Sequence, residues 1–507
     1  MKRASTPSFV LELEISFKDT LLNDLLKPKK KFLHTGSVET LNKKFNVANQ
    51  VYNAILSEAE HRRQKVMHDR EYQTLIAEYA ALKKADQSTS DCSKKLNLIK
   101  KRFGYTEYDM HAYAVMPKYH FSNVLGIDEC QKLASRAFKA SESVLFGKAD
   151  KVHYHRRLDD TSIEGKSENS SVKYHGHRCI QCGRGNIYPL IVKAGDIYAE
   201  DALKHRVKYV RILRRTIRGK QRYYAQLVME GIPPKTKSLC YGNPDEKIGI
   251  DEGVSTAAVV SGETVNLYEL APGTAVDEKE LRRLNRAIDR SLRKNNPDNY
   301  NPNGAVKKGK LKWNISKRCR LLKSKRKELY RRNAWNRKCS HNQLANKIIA
   351  VGTDIRVEDM SISGLAKRSK KTTISKKNGR PVSKKRYGKT ILSRAPAMFI
   401  NAIERKLSYI GIHINKLDAY EIKASQYNHI TNSYRKKPLS QRWAEIGNDK
   451  IQRDLYSAFL IRNTTPTLDH IDQESCIKQY DHFKVLHDIE IKKLKKLDNP
   501  SLRWYIV

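Results

Sequence analysis

No apolar run in this sequence approaches the ~18–20 residues that a membrane-crossing helix needs, so nothing in it reads as a transmembrane span. Cysteine is sparse: eight in 507 residues, scattered from Cys92 to Cys476 with one CxxC pair, which excludes a secreted disulfide framework. The start, Met1-Lys2-Arg3-Ala4-Ser5, leads into the alternating stretch 9–17 rather than an apolar signal core. A cytoplasmic location is therefore expected. Acids are also in short supply, with 54 Asp and Glu against 99 Lys and Arg, a formal net charge of +45. Such an excess would repel itself in a compact fold unless a polyanion neutralised it. The expected partner is DNA, RNA or both, rather than a small molecule. Apolar residues, at 39%, are few for a globular chain but more than a disordered one carries. At ~100–200 residues per domain, the length suggests two to four domains.

What is present falls into distinct textures. Residues 9–17 (FVLELEISF) alternate as a strand does. From Ser37 to Ala140 the apolar residues Leu41, Phe45, Val51, Ile55 and Leu56 recur at mostly three- and four-residue steps, predicting helices. Residues 148–175 read as a polar loop. VKYVRILRR and QRYYAQLVM, within 207–229, flank Thr216–Lys220 and predict a hairpin with Gly219 in its turn. After Pro244, strands are expected at 247–251, 254–260 and 264–270, then basic helices at 276–294 and 315–350. From Leu281 to Lys338 there are 21 Lys and Arg against Asp289, Asp298 and Glu328. A strand at 354–360 precedes a second basic loop, with 11 Lys and Arg and no acid from Lys367 to Lys389. Helix 394–408, strand 409–417, an irregular polar stretch and helix 449–463 follow, then a charged, partly helical tail at 464–507.

Three acids sit unlike the rest. Asp251 ends the apolar strand Lys247-Ile248-Gly249-Ile250. Glu358 ends Asp354-Ile355-Arg356-Val357. Asp454 lies beside a stripe of Ile451, Leu455 and Phe459 at four-residue steps. Each alone reads as an ordinary exposed acid. Three carboxylates brought together repel and lose hydration unless divalent cations compensate them. Two Mg²⁺ ions about 4 Å apart, with Mn²⁺ as the substitute, can activate a water and stabilise the leaving oxygen of a phosphodiester. Acid on a central strand, acid at a neighbouring strand end and acid on a following helix is what an RNase H-like nuclease needs. The adjacent Glu252 and Asp359 are expected on the opposite faces of their strands.

Residues 247–463 resemble the RuvC-like nuclease half of TnpB proteins and of the compact type V CRISPR effectors. Lys247–Gly253 (KIGIDEG) is similar to the first RuvC motif, Val357–Leu365 (VEDMSISGL) to the second and Arg453–Ala458 (RDLYSA) to the third. The basic hairpin between motifs one and two fits, and Arg211–Pro234 resembles the end of a wedge domain. The resemblance implies a multidomain α+β chain with an N-terminal wedge β-barrel, an inserted helical recognition domain and a C-terminal RNase H-like (RuvC) α/β nuclease domain. Its segments would be wedge at 1–36, recognition at 37–147, linker and wedge at 148–245, nuclease at 246–463 and tail at 464–507. It implies a guide RNA, transposon-encoded or CRISPR, a double-stranded DNA target, and one RuvC site in which Asp251, Glu358 and Asp454 hold the metals. Guide pairing would choose the target while the protein grips backbone and shape. One departure stands out. The family commonly has a four-cysteine zinc ribbon before the third motif, whereas Ser425–Lys450 holds no cysteine and only His429, so that element has lost its zinc or been replaced.

Weaker signals remain open. His175, His177, Cys179 and Cys182 could hold a Zn²⁺, with Cys240 as an extra ligand, or form a strand hairpin without metal. Val152-His153-Tyr154-His155-Arg156-Arg157 could stack on unpaired bases or be a solvated linker. Arg211, Arg214, Arg215, Arg218 and Lys220 could line an RNA groove or solvate a hairpin edge, and Arg320, Lys323 and Arg326 are candidate nucleic-acid contacts on the basic helices. Two other readings compete: a nuclease-dead, RNA-guided DNA-binding repressor, and an RNase H-like DNA transposase or resolvase.

Overall fold

The computed structural model describes residues 7–18, 34–156, 159, 161–183, 185–236, 238–366, 373–374, 381–382, 387–436, 438 and 441–506. Most of the basic loop 367–389 and Arg157 lie outside these residues. The chain is mixed α+β and divides into two compact units, Met1–Pro234 and Lys235–Val507.

In the first unit, β1 (Ser8–Ile15) alternates as expected, burying Phe9, Leu11, Leu13 and Ile15. It joins a sheet with β2 (His34–Thr35), β3 (Ser162–Glu164), β4 (Val172–Gly176), β5 (Cys179–Cys182), β6 (Asn186–Ile191), β7 (Val207–Ile217) and β8 (Lys220–Glu230). The order is β3-β7-β8-β1-β6-β5-β4, with β2 on β6. Among the described residues no hydrogen-bonded pair joins β3 to β4, so where the sequence predicts a barrel the sheet curls as a half-barrel. Strands at 162–164 and 172–176 occupy part of the stretch read as a loop. β7 and β8 turn on Arg218 and Gly219, both at positive φ (51° and 77°), the conformation a two-residue hairpin needs.

Between β2 and Leu145 the chain is mostly helical. The longest helices are α1 (Val38–His68), α2 (Arg70–Lys84), α3 (Ser90–Arg102) and α4 (Ile127–Leu145). Ser37 caps α1 by accepting from the Thr40 N–H at 3.1 Å. Leu41, Phe45, Val51, Ile55 and Leu56 are fully buried on one face of α1.

In the second unit, β9 (Asn243–Glu252), β10 (Thr256–Val260), β11 (Val265–Glu269), β12 (Gly352–Glu358) and β13 (Asn415–Leu417) form a sheet ordered β11-β10-β9-β12-β13. β10 runs antiparallel to β9 and β11; β12 runs parallel to β9 and β13. The basic helices are α5 (Thr274–Asn295) and α6 (Lys317–Ile349). Ile248 and Ile250 of β9 share a core with Ala345, Ile348 and Ile349 of α6 and with Phe399 and Ile403 of α7 (Pro396–Leu407). The helix expected at 394–408 breaks at Ala395, which has φ 49°, because the residue before a proline disfavours the α conformation.

The last part of the chain differs most from expectation. Residues 449–452 are not helical: β14 (Trp443–Ile446) pairs with β15 (Asp449–Gln452), and the helix α8 starts at Arg453 and ends at Arg462. Gln452 fixes that start by accepting from the Leu455 N–H at 2.7 Å. The segment read as a tail is structural. α9 (Gln473–Lys496) and α10 (Pro500–Ile506) bury Cys476, Phe483, Ile491, Leu494, Leu502 and Ile506 in one core with Leu455, Phe459 and β10–β11.

Candidate active site

The three acids converge on one end of the second unit's sheet. Val357 pairs with Ile250 across the parallel β9–β12 ladder, so Glu358 and Asp251 each lie one step beyond that pair. Asp454 stands in the first turn of α8. Gly249 lets this helix approach β9, because a Cβ there would collide with the Ala458 carbonyl and the Arg462 amide. Gly249 and Asp251 share a strand face by alternation, so the close approach carries the helix start toward Asp251.

The electrostatics are those of like charges in a confined place. Burial, then the charges of Asp454 and Glu358, push the Asp251 carboxyl well above its ordinary range, with Arg453 acting the other way. Burial also raises Glu358, which accepts from the Ala424 N–H at 3.3 Å. Asp454 is held by cations. Its Oδ1 receives Arg453 Nε at 3.3 Å and Nη2 at 3.2 Å; its Oδ2 receives Gln452 Nε2 at 3.2 Å and faces Arg442 Nη1 at 3.8 Å.

The neighbours of the motif acids behave differently from each other. Asp359 is 69% exposed and lies 3.8 Å from Lys416 Nζ, an ordinary surface pair. Glu252 is only 7% exposed, its Oε1 has no hydrogen-bond partner, and burial raises its carboxyl to about 8.

A hard, all-oxygen donor set of three carboxylates with excess negative charge fits Mg²⁺ or Mn²⁺ chemically. Asp251 and Glu358 would hold such ions from the sheet and Asp454 from the helix. As placed, no three His, Cys, Asp or Glu side chains among the described residues stand close enough to share one ion, and Asp454 faces its arginines.

The other predicted site residues divide sharply. Cys179 and Cys182 lie within one strand, three positions apart, so alternation sends the thiols to opposite faces. Burial raises them to about 11 and about 12. Among the described residues they join no group of three possible metal ligands. Arg214 is 1% exposed, donates to Asn42 Oδ1 at 3.1 Å and the Asp159 carbonyl at 3.0 Å, and lies over the Phe45 ring. It holds the fold together and cannot line an RNA groove. Arg211 pairs with Glu164 at 2.9 Å and Arg215 with Glu12 at 2.6 Å. Arg218 is in the hairpin turn and Lys220 opens β8, exposed.

On α6, Arg320 is exposed, Lys323 is half-buried, and Arg326 bridges to Asn285 Oδ1 of α5 at 3.0 Å. The sequence reading missed a more continuous basic row. Lys279, Arg282, Arg283, Arg286 and Arg290 line one groove of α5, while Leu284 and Ile288 are buried on its other side. Their three- and four-residue spacing was the available signal.

No protein-family model matches the chain, and no curated protein matches it. Among solved structures, the chain is similar to one in a cryo-EM structure of a Cas12f1–sgRNA–target DNA complex. That likeness has 13% identity and a TM-score of 0.45, and covers 92% of this chain and 100% of that one. It is also similar to a chain of a CRISPR–Cas12f ternary complex, at 14% identity and a TM-score of 0.23, over 85% and 82% of the two chains. No helix among the described residues is long and apolar enough to cross a membrane.

Proposed function

We propose that this chain is an RNA-guided DNA endonuclease with a single RuvC-like site. The observation that carries the reading is the convergence of Asp251, Glu358 and Asp454 on one sheet end, where the Asp251 carboxyl is raised by its two neighbours. When bound there, divalent cations would supply an activated water and positive charge at the leaving oxygen. Asp251 would hold them from the central strand. Glu358 is fixed from the adjacent strand by the Ala424 N–H. Asp454 would hold the cations from the first turn of α8. The basic row on α5 would hold the phosphates of a nucleic-acid strand. The net charge and the three ordered motifs support guide RNA and DNA as partners.

The test begins with the RNA that co-purifies with the protein. Sequencing it should reveal a structured guide, and duplex DNA matching that guide should be cut when Mg²⁺ is added. Asp251→Ala should bind guide and target within about twofold of wild type and lose cleavage by at least ~10³-fold. No co-purifying RNA would favour the transposase or resolvase. Matched DNA that is bound but left uncut with Mg²⁺ would favour the repressor.

A further inference from the structure

The cations on Asp454 are not equivalent. Arg453 is its chain neighbour and is also tied to the Gln441 carbonyl at 3.2 Å. Arg442 approaches from the β14 strand's N-terminal side and is steered by an element far along the chain. Its guanidinium carbon lies 4.7 Å from the centre of the Tyr505 ring, within cation–π range. Its Nε is buried without a hydrogen-bond partner, so the side chain is not held by an ordinary hydrogen-bond set.

Tyr505 is itself fixed. Its hydroxyl lies 2.8 Å from Ser255 Oγ, in the turn that follows Asp251. Leu502 and Ile506 of the same helix are buried in the core, and Asn499 donates to Glu269 at 2.8 Å. The terminal helix therefore touches both the turn after Asp251 and the arginine facing Asp454.

We propose that Tyr505 and Arg442 form a latch on Asp454, in which the terminal helix holds the guanidinium against the carboxylate and a divalent cation must displace it. The proposal rests on the reading of the three acids as metal ligands. With only 21% and 16% of their side chains exposed, Arg442 and Asp454 interact in a partly desolvated place where screening is weaker than at a surface. The arrangement makes Arg442 a positioning residue: it balances the acids while no cation is bound and competes with the cation that arrives.

The experiment is a Mn²⁺ titration of the full-length protein, followed by electron paramagnetic resonance, without added DNA. Wild type should bind Mn²⁺, and Asp251→Ala should lose that binding. Arg442→Gln and Tyr505→Leu should each tighten it about five- to tenfold, the range expected when one partly screened charge near a divalent ion is removed or released. Tyr505→Phe, which keeps the ring but loses the bond to Ser255, should stay within about twofold of wild type. If wild type binds no Mn²⁺ that Asp251→Ala abolishes, the nuclease reading falls and the latch with it. If wild type binds Mn²⁺ but Arg442→Gln leaves the affinity unchanged, only the latch is overturned, whether or not Tyr505→Leu folds. Tightening in Arg442→Gln but not in a folded Tyr505→Leu would overturn the part played by the helix.

Discussion

The two sheets of this protein treat their charges in opposite ways. On the face shared by β1, β7 and β8, acid meets base across neighbouring strands: Glu14 with Arg222 at 3.0 Å, Glu12 with Arg215 at 2.6 Å, and Glu164 of β3 with Arg211. In the second unit, acids gather where β9 and β12 end, and an arginine row runs along α5, where Arg283 and Arg293 pair with acids of their own helix but, among the described residues, Arg286 and Arg290 do not. Self-balanced charge stabilises a sheet modestly and leaves nothing for a partner. Unbalanced charge of both signs in one unit is costly without ligands. A polyanion on the row and cations among the acids would compensate it. The first unit carries 16 arginines and the second 22, so it is their pairing more than their number that separates the two.

The strongest way to break that comparison is at Arg214. If the first unit's arginines serve the fold, Arg214→Ala should cost about 3–4 kcal/mol, because it takes the donor from the Asp159 carbonyl and empties the place over Phe45, leaving Asn42 Oδ1 with the Tyr223 hydroxyl alone. Urea unfolding measures the loss. A folded variant of unchanged midpoint that had lost RNA affinity would reverse the assignment.

Glu252 tests the other half. Its folded-state carboxyl stands at about 8 against an ordinary 4.5, so the folded chain holds a proton that the unfolded chain releases. Stability is therefore intact below about pH 4.5 and falls as pH rises to about 8. Glu252→Gln removes that loss. It should stabilise the protein by on the order of 2–4 kcal/mol at pH 8 and by almost nothing at pH 4. Melting curves at the two pH values, with EDTA present, check it; equal shifts at both would show that Glu252 finds a partner in solution.

How much of this was legible in the sequence depends on whether the signal was local. The strand ends carrying Asp251 and Glu358 could be read because an apolar run stopping at an acid is a local pattern. Arg214 was misassigned although its strand held the clue: Val210 and Ile212 share its parity, so it had to point inward. The segment 464–507 was taken for a tail because charged residues dilute it, yet Cys476, Tyr480, Phe483, Ile491 and Leu494 keep helical spacing and are buried. That helix meets the cysteine-free stretch 425–450. Gln473 donates to the His429 carbonyl at 2.7 Å, Tyr480 donates to Asp449 at 3.2 Å, and the His429 and Tyr480 rings lie 4.7 Å apart. Aromatic packing thus braces a segment that has no metal-binding pattern. Arg442 could not have been read at all. It sits in an irregular polar stretch, and only the fold brings it to Asp454 and Tyr505.

The α5 row sharpens the comparison through affinity. Arg282, Arg286 and Arg290 are exposed and face away from the buried Leu284 and Ile288. Changing all three to Gln should leave the melting temperature within about 2 °C while weakening nucleic-acid binding roughly tenfold near 150 mM salt. The slope of log affinity against log salt should fall by about two to three, since each lost phosphate contact on a duplex removes ~0.9. An unchanged slope would move the strand off this helix.

The smallest effect is the most discriminating control. Arg215 is basic, faces solvent at 38% exposure and lies on the hairpin first suspected of binding RNA, yet Glu12 holds both ends of its guanidinium, at 2.6 and 2.8 Å. An exposed pair of this kind is worth little, so Arg215→Ala should shift stability by no more than about 0.5 kcal/mol. Because Glu12 already neutralises it, its loss should also leave the salt slope of binding where it was. Arginines on α5 and arginines on β7 would then differ by a whole phosphate contact each while looking alike in composition. A drop in slope of about one for Arg215→Ala would show that nucleic acid outcompetes Glu12 and that the first unit's pairing is a resting state.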